Sequence, residues 1–171
     1  ADTFADRGGF DLVVGNPPWI KVEWSESDVM GDVEPLFMLR KFSATKLAQM
    51  RQETLEKYGL RSDYLTAFEE ADGTQNFLNA RQNYPLLKGT QSNLYKCFLP
   101  QAWMVGREEG VSGFLHPEGI YDDPKGGKFR EEIYPRLKSH FQFQNETKFF
   151  PIGNRNKFSI NIYQASTESV S

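Results

Sequence analysis

The chain has 171 residues, enough for one domain with an ordinary core, and its 39% hydrophobic and 25% charged content is that of a globular protein. A net charge of −3 argues against strong non-specific nucleic-acid binding by the chain as a whole; one cysteine, Cys97, and two histidines far apart in sequence, His116 and His140, exclude disulfides and cysteine-rich metal sites. No apolar run reaches transmembrane length and the opening residues lack the basic and apolar segments of a signal peptide, so a cytoplasmic protein is expected.

Residues 10–15, Phe-Asp-Leu-Val-Val-Gly, read as a short buried strand that stops at Asn16-Pro17-Pro18-Trp19. Residues 20–35 read as a polar loop, and 36–58 as a helix with apolar residues at roughly a 3.6 period, closed by Gly59. A helix over 62–71, capped by Ser62 or Asp63, is expected to break at Asp72-Gly73, with a short helix over 74–82 after it. From Ser92 the pattern tightens into a long helix over 93–109, in which Pro100 predicts a kink or a split. Residues 111–115 read as a strand ending at His116-Pro117, followed by a loop over 118–127 and a helix over 128–140. Strands over 141–149 and 157–165 close the chain, the second alternating Phe158, Ile160 and Ile162 with polar neighbours.

This alternation of strands and helices predicts an α/β fold with a mostly parallel sheet. The connector between the last two strands is too short for a crossover, so that pair is expected to be antiparallel. Ligands of open α/β sheets bind at the carboxyl ends of strands, where Asn16–Trp19 and His116-Pro117-Glu118 fall.

The Asn16–Trp19 turn carries its own chemistry. The Asn16 amide oxygen and the Pro17 carbonyl can accept two hydrogen bonds from an amino group, the prolines stiffen the loop, and Trp19 can stack on a flat ring. The plain alternatives are a turn asparagine and a core tryptophan. Cys97 reads as a buried helix residue.

Asn-Pro-Pro-Trp after an apolar strand resembles motif IV of the S-adenosylmethionine-dependent amino-methyltransferases, and the Trp form is most similar to adenine-N6 DNA methyltransferases of the restriction-modification type. Ser92–Phe98 resembles the helix after motif IV, Gly113–Pro117 the strand and turn of motif VI, Phe129–Ile133 the helix that follows, and Phe149-Phe150-Pro151 before Phe158 the motif VIII hairpin. The resemblance covers most of the chain except an insertion at about 25–90. It implies part of a Rossmann-like methyltransferase sheet with a largely helical insertion after the first strand, in one partial catalytic domain over 1–171. The family's glycine-rich cofactor turn is missing: Gly8-Gly9 precedes a strand and Gly126-Gly127 lies in a loop. The cofactor S-adenosylmethionine is therefore expected to meet only Asn16 here, its principal motifs lying upstream of motif IV. The expected partners are DNA with a flipped adenine, the amino-terminal half and the target-recognition domain, and the fragment alone is expected to be inactive.

By the same resemblance Asn16, Pro17, Pro18 and Trp19 form the catalytic turn. Trp19 and Phe150 supply two stacking faces, and His116 shapes the pocket wall, read as a loop histidine, with a general base as the alternative that the mechanism does not require. Lys125, Lys128, Arg155 and Lys157 are candidates for phosphate contacts or plain solvated surface. Other readings of the chemistry are methylation of a protein glutamine or an RNA amine, or a non-catalytic DNA-docking or assembly module.

Overall fold

The computed structural model describes residues 2–39, 42–90 and 93–167. Two compact units emerge, one formed by residues 1–21 with 78–171 and the other by 22–77. The first is a mixed α/β unit built on a four-stranded sheet. Strands β1 (Phe10–Gly15), β2 (Gly106–Pro117), β3 (Leu137–Gln144) and β4 (Lys157–Gln164) lie in the order β1-β2-β4-β3. β1 and β2 are parallel, while β4 is antiparallel to both of its neighbours. Three strands thus run one way and one against them, a partial Rossmann-like methyltransferase sheet with the expected antiparallel closing pair.

Helix α1 (Thr3–Arg7) leads into β1 through Gly8 and Gly9. At Gly9 φ is +139°, and a Cβ would stand 2.6 Å from the Val105 carbonyl, so only glycine lets the chain pass there. In the other unit, helices α2 (Glu26–Met30), α3 (Leu36–Leu39), α4 (Ala44–Tyr58) and the start of α5 (Arg61–Asn79) surround a core of Met30, Phe37 and Met50. In the sheet unit α6 (Leu94–Val105), α7 (Gly119–Asp122) and α8 (Gly127–Arg136) follow. Buried Leu99, Trp103, Phe129, Ile133 and Tyr163 form its centre.

Several boundaries differ from the pattern reading. The loop over 20–35 contains α2, and the helix over 36–58 is two helices, because the Ser43 hydroxyl caps α4 by accepting from the Lys46 N–H at 3.3 Å. Residues 40–41 of that span, and Ser92, lie outside the described residues. Asp72-Gly73 does not break α5: an interior glycine costs about 1 kcal/mol, and Asn76 bonds Asp72 across it at 2.9 Å. Pro100 lies inside α6 without ending it. The helix stops at Gly106, where a Cβ would stand 2.9 Å from that of Ala165, and β2 begins there. β3 starts at Leu137 because pairing with β4 outweighs helical continuation past Pro135. The loop over 118–127 includes the single turn α7.

The largest departure is β1. Its apolar pattern implies burial, yet Leu12 is 61% and Val14 72% exposed. β1 is an edge strand, and among the described residues no further strand pairs with its outer side.

Candidate active site

Parallel pairing brings the site together. Gly15 stands opposite Phe114, so β1 and β2 end side by side and Asn16-Pro17-Pro18-Trp19 leaves the sheet next to Leu115–Pro117. The proline rings fix φ through the turn. Trp19 is half-buried, and its indole N–H donates to the Leu115 carbonyl at 3.3 Å. The next residues are latched too: the Leu94 N–H donates to the Ile20 carbonyl at 3.0 Å, and Lys21 bridges Asn93. Asn16 is exposed and Pro17 buried.

β4 runs antiparallel, so it begins where β2 and β3 end: Phe158 is the partner of both Pro117 and Phe143. Phe158 forms the floor of an aromatic cluster, with its ring centroid 5.0 Å from Phe150, 5.5 Å from Phe143 and 6.0 Å from Trp19. Trp19 and Phe150 are closer still, at 4.3 Å and tilted by 39°. They are the two residues expected to face a base, and here they stack on each other. Two layers of ring contact need about 7 Å between the outer rings. Phe149 points away, 77% exposed.

Asn145 holds the loop that carries Phe150, a role that the sequence reading missed. Its side chain is completely buried. Nδ2 donates to the carbonyls of Phe150 and Ile152, each at 3.0 Å, and Oδ1 accepts from the Phe150 N–H at 3.2 Å. The available signal was local: an asparagine at a strand end tends to bond the backbone just ahead of it.

Among the described residues, the turn lines two clefts, one of which adjoins a further cleft. Trp19 lines one of about 550 Å³, together with Asn93, Pro117, Glu118, Arg155 and Lys157. It shares Asn93, Pro117, Gly119 and Asp122 with a cleft of about 750 Å³ that Lys125 lines. Asn16, Pro17 and Pro18 line a third, mainly apolar cleft of about 390 Å³ with Val14, Phe98 and Phe114. Arg155 and Lys157 are therefore beside Trp19, whereas Asn16 faces a different cleft. Lys128 lies apart from all three, with Arg81 and Lys88.

His116 is not a loop residue. The β2–β4 ladder runs through to Pro117, which places His116 inside the sheet at 0% exposure. Nε2 sits 2.9 Å from the Tyr163 hydroxyl and 3.0 Å from Asn161 Nδ2, while Nδ1 is 2.8 Å from the Pro117 carbonyl. Tyr121 and His140 bond Asn161 Oδ1 at 2.8 and 2.7 Å. Burial lowers the His116 pKa to about 4 and pushes the hydroxyls of Tyr95, Tyr121 and Tyr163 well above the usual phenol range. His116 is thus a neutral member of a polar network that supports the wall from behind. Cys97 is buried in α6, and burial raises its thiol to about 11, an unreactive state.

Glu118 connects this network to the Trp19 cleft. Its carboxylate is nearly buried, and Oε2 accepts from Gln142 at 2.7 Å. Oε1 is enclosed with no hydrogen-bond partner among the described residues. Among those residues, no helix is long and apolar enough to cross a membrane, and no cluster of His, Cys, Asp and Glu could hold a metal ion.

Comparison with curated proteins finds no match to this sequence. A family model described as Eco57I restriction-modification methylase matches residues 1–150, spanning β1, the Asn16–Trp19 turn, β2, β3 and the loop to Phe150. The chain therefore belongs to the Eco57I restriction-modification methylase family, which places it among the DNA methyltransferases of restriction-modification systems.

Proposed function

We propose that the chain is the acceptor-binding part of a methyltransferase that places a methyl group on adenine N6 of DNA, with S-adenosylmethionine as donor. The observation that carries this reading is the Asn16-Pro17-Pro18-Trp19 turn at the shared end of β1 and β2, with the Trp19 indole tied to the Leu115 carbonyl.

Adenine N6 is a poor nucleophile because its lone pair is delocalised into the ring. The exposed Asn16 side-chain oxygen accepts one N6 hydrogen and the Pro17 carbonyl the other. Both bonds draw the lone pair out of conjugation and aim it away from the ring. An amide suffices, since neither acceptor has to take the proton outright; the gain comes from positioning and fixed dipoles. Trp19 stacks on the base once it is out of the duplex, after the Phe150 ring turns aside. Arg155 and Lys157, which line the same cleft, hold the adjoining phosphates.

None of the four described strands runs directly into a turn of closely spaced glycines that opens a helix. The residues present accordingly fit one end of S-adenosylmethionine, with the Asn16 amide beside the apolar wall of Val14, Phe98 and Phe114. When bound, this cofactor supplies an electrophilic methyl group. The exposed apolar edge of β1 suits pairing with a strand of an amino-terminal half that holds the remainder of the cofactor.

The test is transfer of labelled methyl from S-adenosylmethionine by the full-length protein to DNA, RNA and protein acceptors offered together. Label in DNA alone supports the proposal. Label in RNA or in protein glutamine overturns it in favour of those acceptors, and no transfer by a folded protein that binds the cofactor leaves a docking module.

A further inference from the structure

Arg81, Lys88 and Lys128 line one cleft of about 370 Å³ over Pro85 and Leu86. They come from three separate places: the segment after α5, the residue that ends a 3₁₀ turn at Pro85–Leu87, and the first turn of α8. α8 packs against that 3₁₀ turn and so brings the cations together. All three are exposed, no acidic residue lines the cleft, and none of the three pairs with a carboxylate among the described residues. Such a cluster runs against the net charge of −3 of the whole chain. Three like charges held together without counter-charges repel one another, so the arrangement suits an anionic partner.

The cleft is also joined through the chain to the clefts of the candidate active site. Lys88 is followed by Gly89 and Thr90, which line the 750 Å³ cleft together with Lys125. That cleft shares four walls with the one lined by Trp19, Arg155 and Lys157. Arg155 and Lys157, Lys125, and Lys88 with Lys128 and Arg81 thus line three separate clefts, with Glu118, Asp122 and Asp123 among the walls of the first two and no acidic wall in the last.

We infer that the Arg81–Lys88–Lys128 cleft binds the phosphodiester backbone of the DNA strand that flanks the extruded base. The inference rests on the DNA-methyltransferase reading and adds to it a second, sequence-independent anchor away from the stacking site. Its contacts would fix the register of the duplex and carry no base specificity.

The test is equilibrium binding of the full-length protein to duplex DNA oligonucleotides of several sequences over a range of salt concentration. The variants are Arg81→Gln, Lys88→Gln and Lys128→Gln, with Trp19→Ala for comparison. Each lost phosphate contact lowers the slope of log K against log salt by about 0.9 and, by the same relation, weakens binding about eightfold at 0.1 M salt. The expected result is that loss in all three variants, equal for every sequence, with the slope unchanged in Trp19→Ala. Folded variants that keep the wild-type slope while the wild type binds DNA overturn the inference and leave the reading of the turn intact. A slope change seen on RNA and not on DNA overturns the assignment of the partner. A wild type that binds no DNA overturns both inference and reading.

Discussion

The rings of Trp19 and Phe150 stand 4.3 Å apart, each filling the place that a stacked base would take on the other. Trp19 is tied through its N–H to Leu115, whereas the Phe150 backbone is bonded to Asn145 and its ring is held by packing on Trp19 and Phe158. Of the two rings, that of Phe150 carries no hydrogen bond that would resist its turning aside. Trp19→Ala should lose about 1–3 kcal/mol of base-stacking energy and abolish the fluorescence quenching that adenine-containing single strands cause in the wild type. Phe150→Ala should retain quenching, since Trp19 remains. A titration of both variants with the same oligonucleotide checks the assignment.

Asn145→Ala removes three hydrogen bonds from a completely buried position and leaves the Phe150 and Ile152 carbonyls short of a donor. A loss of about 1–3 kcal/mol in stability is expected, together with a raised KM for the nucleic acid and a smaller change in kcat. Asn145→Asp keeps the acceptor for the Phe150 N–H but sets a buried carboxylate oxygen against the two carbonyls, and should cost at least as much as Asn145→Ala. Urea denaturation and steady-state kinetics on the same samples separate the effects.

His116 imposes a pH dependence of definite sign. Its folded pKa of about 4 lies below its ordinary value of 6.5, so between these two the unfolded state binds more protons and stability falls as pH falls. Above about pH 6.5 the residue is neutral in both states and contributes no slope. At pH 4 and below the accumulated cost is about 3 kcal/mol. His116→Gln should flatten the stability profile between pH 4 and 6.5; urea midpoints measured across that range will show it. The groups facing His116, namely Tyr163, Tyr121, Tyr95, His140 and Glu118, stay in place in that variant.

Lys96 and Asp123 form an ion pair at 2.9 Å with both side chains largely enclosed. Asp123→Asn strands a buried ammonium and should cost about 3–5 kcal/mol, while Lys96→Met in the same background should recover much of that loss. A double-mutant cycle by urea denaturation measures both terms.

The succession of strands and helices along the chain, the antiparallel closing pair and the turn after β1 were legible because each rests on a local pattern: an apolar run ended by Gly and Pro, a short connector, clean alternation in β4. Tertiary contacts decided what was not. His116-Pro117 reads as a loop until the β4 ladder is laid beside it, and α5 passes through Asp72-Gly73 on the strength of a side-chain bond to Asn76. Asn145 carries no motif at all, and its importance appears only when the loop folds back over it. The apolar sequence of β1 implied burial, whereas within the described residues that strand is an exposed edge.

The central claim is most directly tested by product analysis. Full-length protein, S-adenosylmethionine and DNA are incubated with and without the Asn16→Ala substitution, and the nucleosides are identified by mass spectrometry. The account predicts N6-methyladenine from the wild type and its loss in Asn16→Ala, with DNA binding retained in the variant. Methylation at cytosine, or N6-methyladenine formed at an undiminished rate by Asn16→Ala, would contradict it.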